Sequence, residues 1–177
     1  SWEGHCRTRA IFSLFAANAD MDDLLLYLDD APQGSYVRIP MLRQQHVVAE
    51  GNPNLCLADF VRPLSGGVRD AVGLFCASVD GGVLEAYRGD DYQSMMAQVL
   101  SDRLAEATVE KMHEEVRRRL WGYAPDERLS MEQLHREEYQ GIRPAVGYPS
   151  LPDVSVNFEL DRLLGMSRIG IRLTESG

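Results

Sequence analysis

Cysteine is scarce in this 177-residue sequence. Its three cysteines, Cys6, Cys56 and Cys76, lie far apart, form no Cys-x-x-Cys pair and leave an odd count. Neither a disulfide framework nor a thiolate metal site is therefore indicated. We expect a reducing, cytoplasmic setting.

Long apolar runs and excess positive charge are also lacking. No apolar stretch approaches the roughly 18 to 20 residues that a membrane-spanning helix needs, and the polar residues 1–5 do not resemble a signal peptide. The formal net charge of −9 disfavours binding to nucleic-acid phosphates or anionic lipids. We expect no membrane or nucleic-acid partner, and a ligand that is neutral, zwitterionic or cationic.

Several familiar catalytic and cofactor motifs are missing. The sequence has no glycine-rich phosphate loop and no Gly-x-Ser-x-Gly elbow. The segment 113–117 begins like a zinc-protease helix, but Arg117 stands where the second histidine is needed. We predict no metal site, histidines that lie on the surface or in satisfied packing, and a solvated helix end at the triple arginine 117–119.

The residues that are present favour one α+β domain over 1–177, because 45% of them are hydrophobic and the chain is long enough for one core. Short apolar runs predict strands at 10–17, 24–28 and 70–79, the first two as a hairpin-like pair. A short helix is predicted at 40–45 and a final strand at 168–173. Strands first, then helices, then a strand indicate the α+β class.

Three helices are predicted in the second half of the chain. A long amphipathic helix begins at Asp90 or Asp91 and ends near 121–125, and shorter helices cover 130–139 and 158–166. Apolar residues at spacings of mostly three to five predict the buried stripe of the long helix: Met95, Met96, Val99, Leu100, Leu104, Ala107, Met112, Val116 and Leu120.

Three acids and one loop are candidates for chemistry. Asp59 could face a cleft, although a capping or turn role is favoured. Asp102 and Glu106 are four apart on one helix face, where they can either be solvated or meet a ligand cation. Loop 140–149 contains Arg143, two prolines and two glycines, a composition that ends a helix and holds a guanidinium and an aromatic ring in a partly extended segment.

Five segments resemble, in family order, the activation domain of cobalamin-dependent methionine synthase: 56–61, 101–107, 121–125, 139–149 and 173–176. The resemblance implies a twisted, mainly antiparallel sheet with a long helix and further helices, and S-adenosylmethionine binding. It also implies a role in a methyltransferase: presenting the methyl group for reductive methylation of cob(II)alamin. The implied partners are a cobalamin-binding domain or subunit and a flavodoxin-like electron donor.

The resemblance also implies roles for single residues. Arg143 would pair with the ligand carboxylate, and Tyr148 would line the ligand and corrin side. Pro144, Ala145 and Gly147 would shape the loop.

Two acids of the long helix receive roles in the same way. Glu106 would face the amine or sulfonium of the ligand. Asp102 would be the catalytic acid that receives the histidine released from cobalt.

The family domain is longer at both ends, so the resemblance implies a short form that lacks part of the ligand site. A second hypothesis therefore stands beside the first. In it the chain is a non-catalytic module that keeps the fold and docks a corrinoid protein without binding S-adenosylmethionine.

Overall fold

A computed structural model describes residues 6–31, 34–46 and 50–175. The strands are β1 (Thr8–Asp20), β2 (Asp23–Tyr27), β3 (Tyr36–Pro40) and β4 (Asp70–Val79), which form one sheet in the order β3-β2-β1-β4. The helices are α1 (Gly82–Ala86), α2 (Asp91–Glu115), α3 (Met131–His135) and α4 (Val156–Leu164). The predicted α+β class is confirmed, with a mainly antiparallel sheet and one long helix.

Contacts divide the chain into two compact units. The helical unit comprises residues 6–12, 75–143 and 166–172, and the sheet unit comprises 13–74, 144–165 and 173–175, in each case as far as they are described. Strands β1 and β4 contribute residues to both units. The single domain over 1–177 stays a prediction.

The hairpin of β1 and β2 organises the sheet unit. The strands pair antiparallel from Ala17 opposite Leu26 to Asp20 opposite Asp23, which confirms the predicted pair. The two residues between them turn the chain, and Met21 takes a positive φ of 56° there. Strand β3 then adds to β2 in antiparallel register. Alternate side chains of this sheet therefore enter one core.

The core of the sheet unit is built by small and branched apolar side chains from several elements. Its buried members are Ala17, Ala19, Leu24, Leu26, Val37, Ile39, Met41, Cys56, Ala58, Leu151 and Val156. Asn18 is buried beside it, and its amide nitrogen donates to the carbonyls of Arg62 (3.1 Å) and Val68 (2.9 Å). The buried amide is thus hydrogen-bonded, as burial of a polar group requires.

Asp59 has the capping role favoured by the sequence. It lies in a 3₁₀ turn, Leu57–Phe60, and its carboxylate accepts from the backbone N–H of Cys56 at 2.8 Å. Arg43 donates two further hydrogen bonds to it, at 2.7 and 2.8 Å. These contacts, the Arg43 pair foremost, lower the pKa of Asp59 to about 2. A carboxylate held in this way is structural.

Two predicted elements are wrong. Residues 41–45 are not helical, because Tyr36–Pro40 pairs with β2 as a strand and the chain leaves it in an irregular segment. Residues 168–173 form no strand; a 3₁₀ turn at Met166–Ile169 buries its first and last residues, and Gly170 follows with a φ of 85°. An apolar spacing of three there reflects a tight turn rather than alternation.

The long helix was predicted correctly in extent but not in orientation. α2 begins after Asp90, whose side chain accepts from the backbone N–H of Gln93 at 2.9 Å. One π-helical turn, Val116–Leu120, follows α2 and ends near the predicted stop. Most of the stripe predicted to be buried is exposed, namely Met95, Met96, Val99, Leu100, Leu104, Ala107 and Leu120. Met112 is half-buried and Val116 is buried as predicted, and Ala97, Ser101 and His113 are buried as well. Among the described residues, no helix is long and apolar enough to cross a membrane.

Candidate functional site

The boundary between the two units falls directly after Arg143. Arg143, Asp102 and Glu106 belong to the helical unit, and Pro144, Ala145, Gly147 and Tyr148 belong to the sheet unit. The seven residues predicted from the sequence therefore form two groups, joined by the peptide bond between Arg143 and Pro144.

Arg143 is largely buried, with 20% of its side chain exposed. One guanidinium nitrogen, Nη2, donates to a carboxylate oxygen of Glu110, which lies on α2. The Nε atom is buried and has no hydrogen-bond partner among the described residues. An arginine offers five N–H donors in a planar fork. This guanidinium therefore keeps donor capacity that the described residues do not use.

Aromatic contacts fix the segment that leads to Arg143. The ring of Tyr139 lies 4.8 Å from that of His113, edge to face, and the guanidinium of Arg117 lies over it at 4.5 Å. The hydroxyl of Tyr123 donates to the carbonyl of Gln140 at 3.2 Å.

Gly141 is suited to its place in this segment. Its φ is 92°, and a Cβ at this position would lie 3.1 Å from the Tyr123 hydroxyl. A larger residue would meet both the strained backbone and this contact. These contacts therefore fix the position of the backbone just before Arg143.

A buried ion pair lies beneath Tyr139. Arg117 is fully buried and donates to both carboxylate oxygens of Glu127, from Nε at 2.7 Å and from Nη2 at 2.6 Å. Its Nη1 lies 2.7 Å from Nδ1 of His113, and the His113 ring stacks on Phe75. The predicted solvated helix end at the triple arginine is therefore wrong for Arg117, because a carboxylate, an imidazole and a tyrosine ring replace its hydration.

His113 is a neutral acceptor in this cluster. Burial, followed by the positive charges of Arg117 and Arg143, lowers the pKa of His113 to about 3. A neutral imidazole can accept the Arg117 N–H at Nδ1, which a protonated one cannot. The prediction of satisfied packing is confirmed for His113. His46 and His135 are exposed, and His5 lies outside the described residues.

Asp102 and Glu106 lie on an exposed part of α2. Asp102 accepts from Nε2 of Gln98 at 2.8 Å, and Glu106 pairs with Arg103 at 2.7 Å. Glu110 continues the same spacing of four, so the three carboxylates follow one face of the helix. Of the three, Glu110 is the one that contacts Arg143.

The loop after Arg143 is a compact turn of the sheet unit. The backbone N–H of Gly147 donates to the carbonyl of Leu151, and the N–H of Leu151 donates to the carbonyl of Tyr148, both at 2.8 Å. Leu151 is part of the core and Val146 packs against it. Pro144, Ala145, Gly147 and Tyr148 are exposed. The turn thus presents the Tyr148 ring on a backbone that the core holds in place.

Comparison with known proteins shows the family and the fold of this chain. Residues 2–177 match the family described as vitamin B12 dependent methionine synthase, activation domain. The chain belongs to this family. Among solved structures, the MetH reactivation domain bound to AdoHcy is 42% identical, with a TM-score of 0.88 over 98% of this chain. The match covers 55% of that other chain, so this chain spans about half of its length.

Some residues that organise this activation domain were missed in the sequence. Glu110 was not predicted as a partner of Arg143, although its spacing of four from Glu106 could have suggested it. No local pattern marked Arg117 and Glu127 as a buried pair, and a charged residue is seldom fully buried. Tyr123 and Tyr139 lie inside segments that carried the family resemblance, yet their packing role depends on the fold.

Proposed function

We propose that this chain binds S-adenosylmethionine and presents its methyl group for the reductive methylation of cob(II)alamin in a cobalamin-dependent methionine synthase. The observation that carries the proposal is the largely buried guanidinium of Arg143, whose Nε has no hydrogen-bond partner in the part of the chain that the structure describes. A buried donor without a partner costs free energy in the empty protein, and a ligand carboxylate would supply the missing acceptor. The similar MetH reactivation domain, which was solved bound to AdoHcy, supports the same choice of ligand.

The residues of this chain have positioning roles in the proposal. Arg143 holds the carboxylate of the methionine moiety through charge-assisted hydrogen bonds. Glu106 faces the cationic amine or sulfonium, and Tyr148 lines the ligand. Pro144, Ala145 and Gly147 set the loop backbone. Because the sulfonium already makes the methyl group electrophilic, the protein contributes orientation rather than bond activation.

Cobalamin is bound elsewhere in the proposed assembly. When it is present, one electron and the methyl group of S-adenosylmethionine convert the cob(II) form to methylated cobalamin and leave AdoHcy. Asp102, exposed on α2, would accept a hydrogen bond from the histidine released from cobalt. Family membership supports a cobalamin-binding domain or subunit as the partner. The proposed electron donor is a flavodoxin-like protein. A cytoplasmic location accords with three cysteines that form no disulfide.

Isothermal titration of the 177-residue chain with S-adenosylmethionine and with AdoHcy tests the proposal. Arg143→Ala should weaken both ligands by about 10- to 100-fold, because a hydrogen-bonded charge pair contributes about 1.5–3 kcal/mol. Arg168→Ala is the matched control, since Arg168 is an exposed arginine of the same unit. Equal affinities for the parent chain and Arg143→Ala would refute the assigned role. Association with a corrinoid protein but with neither ligand would favour the non-catalytic docking module.

A further inference from the structure

The ion pair between Glu110 and Arg143 has properties of a temporary contact. Glu110 reaches one nitrogen of the guanidinium, Nη2, and 48% of its side chain is exposed. A carboxylate that binds an arginine well takes two parallel N–H groups, as Glu127 does on Arg117. Glu110 therefore holds Arg143 by fewer bonds than the site can offer.

Release of Glu110 carries a small energetic cost. A half-exposed glutamate can turn into water and recover its hydration, and exposed ion pairs contribute little to stability. Release without replacement is different, because Arg143 is mostly buried and would then keep an uncompensated charge. Glu110 is thus easy to displace by another carboxylate and unfavourable to remove when none is present.

The charges around the Arg143 guanidinium make the carboxylate of Glu110 and the carboxylate of a ligand compete for it. The neighbouring Arg117 is neutralised by its own pair with Glu127, and His113 is neutral at physiological pH, so neither adds a positive charge that could hold a second acid. Two carboxylates on one guanidinium would repel each other across a short distance.

We propose that Glu110 is a built-in competitor for the ligand carboxylate: it pairs with Arg143 in the empty site and leaves when the carboxylate of the S-adenosyl ligand binds. This inference rests on the function proposed above. In this role Glu110 lowers the affinity for the ligand while it keeps Arg143 neutralised between binding events. Its effect is confined to ligands that carry a carboxylate.

Titration calorimetry of Glu110→Gln tests the competitor role, since glutamine keeps the shape and removes the charge. AdoHcy should bind about 1.4- to fivefold more tightly to this variant than to the parent chain, the range that follows from the contribution of one exposed ion pair. 5′-Deoxy-5′-methylthioadenosine, which lacks the amino-acid part, should bind both proteins equally. Glu114→Gln is the matched control, because Glu114 lies on the same helix and pairs with Lys111 and Arg118.

A double-mutant cycle separates the two proposals. The increase in AdoHcy affinity caused by Glu110→Gln should vanish in an Arg143→Ala background, because Glu110 and the ligand carboxylate then have no guanidinium to compete for. No AdoHcy binding by the parent chain, or unchanged binding by Arg143→Ala, would overturn the proposed function and the competitor role with it. If Arg143→Ala weakens binding but Glu110→Gln weakens it too or leaves it unchanged, the competitor role alone is overturned. Thermal melting of each variant establishes that it is folded.

Discussion

Arg117 and Arg143 are both largely buried arginines of the helical unit, but their hydrogen bonding differs. Arg117 is fully buried; its Nε and Nη2 donate to Glu127, its Nη1 contacts His113, and its face covers Tyr139. Arg143 has one carboxylate on Nη2 and a buried Nε without a partner in the described part of the chain. A guanidinium whose donors are paired within the protein stabilises the fold. One with spare buried donors is suited to a ligand.

The largest expected effect is that of Arg117→Met on stability. The substitution leaves Glu127 as an unpaired, nearly buried carboxylate, and breaking a buried pair on one side costs about 3–5 kcal/mol. Urea unfolding followed by circular dichroism measures the loss. Arg143→Met should cost about 1 kcal/mol or less, because Glu110 remains half exposed. Equal losses of unfolding free energy in the two variants would contradict the different roles inferred for Arg117 and Arg143.

The next effect is a pH dependence that originates in His113. Its pKa is lowered to about 3, whereas in the unfolded chain it is about 6.5, so the unfolded state takes up the proton first as the pH falls. The stabilisation is complete above about pH 6.5 and declines toward pH 3. Between pH 7.5 and 4.5 the parent chain should lose about 2–3 kcal/mol from this group.

Urea unfolding at several pH values measures this dependence. His113→Gln retains an acceptor but cannot titrate, so this part of the pH dependence should disappear. His135→Gln is the control, because His135 is exposed. Identical pH profiles for the parent chain and His113→Gln would contradict a buried neutral histidine.

A smaller effect is expected at Tyr139, which links the Arg117 cluster to Arg143 along the chain. Tyr139→Leu removes the ring that contacts both Arg117 and His113 and should cost about 1–2 kcal/mol. It should also weaken AdoHcy binding, because the segment before Arg143 is less firmly placed. Tyr139→Phe keeps the ring and should change stability by less than about 0.5 kcal/mol. Thermal melting and calorimetry on the same samples test both expectations.

The smallest effect is expected at Arg119, two residues from Arg117. Arg119 is exposed and pairs with Glu115 at 3.2 Å within the same helical segment. Arg119→Met should therefore change stability by less than about 0.5 kcal/mol in urea unfolding. A loss as large as that of Arg117→Met would mean that position in the arginine run, rather than burial, determines the effect.

Local sequence patterns predicted β1, β2, β4 and the start of α2, because these elements carry apolar runs, turn residues or a capping aspartate. They did not predict β3, a five-residue strand whose identity depends on pairing with β2. Strand formation that depends on pairing with a neighbouring strand leaves little trace in a short stretch of chain. The strand predicted at 168–173 was wrong for a different reason: apolar residues alternate there, but the chain forms a tight turn that buries Met166 and Ile169, three residues apart.

For the candidate site, the family resemblance named residues such as Arg143 and Tyr148, and their roles stay predictions. The buried face of α2 was not predictable from hydrophobicity, because it uses Ala97, Ser101 and His113 while methionines face outward. The pairing of Arg117 with Glu127 was equally hidden. The hydrogen bonds between the two side chains form only after the helix and the segment 121–127 have packed.

The π-helical turn at Val116–Leu120 has a genetic consequence. Its hydrogen bonds, such as that from the Trp121 N–H to the Val116 carbonyl at 2.9 Å, span five residues, one more than in an α-helix. Loss of a single codon within 116–120 would restore regular α-helical winding and leave the flanking chain in register, because the wide turn accommodates the extra residue locally. Relatives that differ by one residue in length here should therefore be aligned with the gap inside this turn.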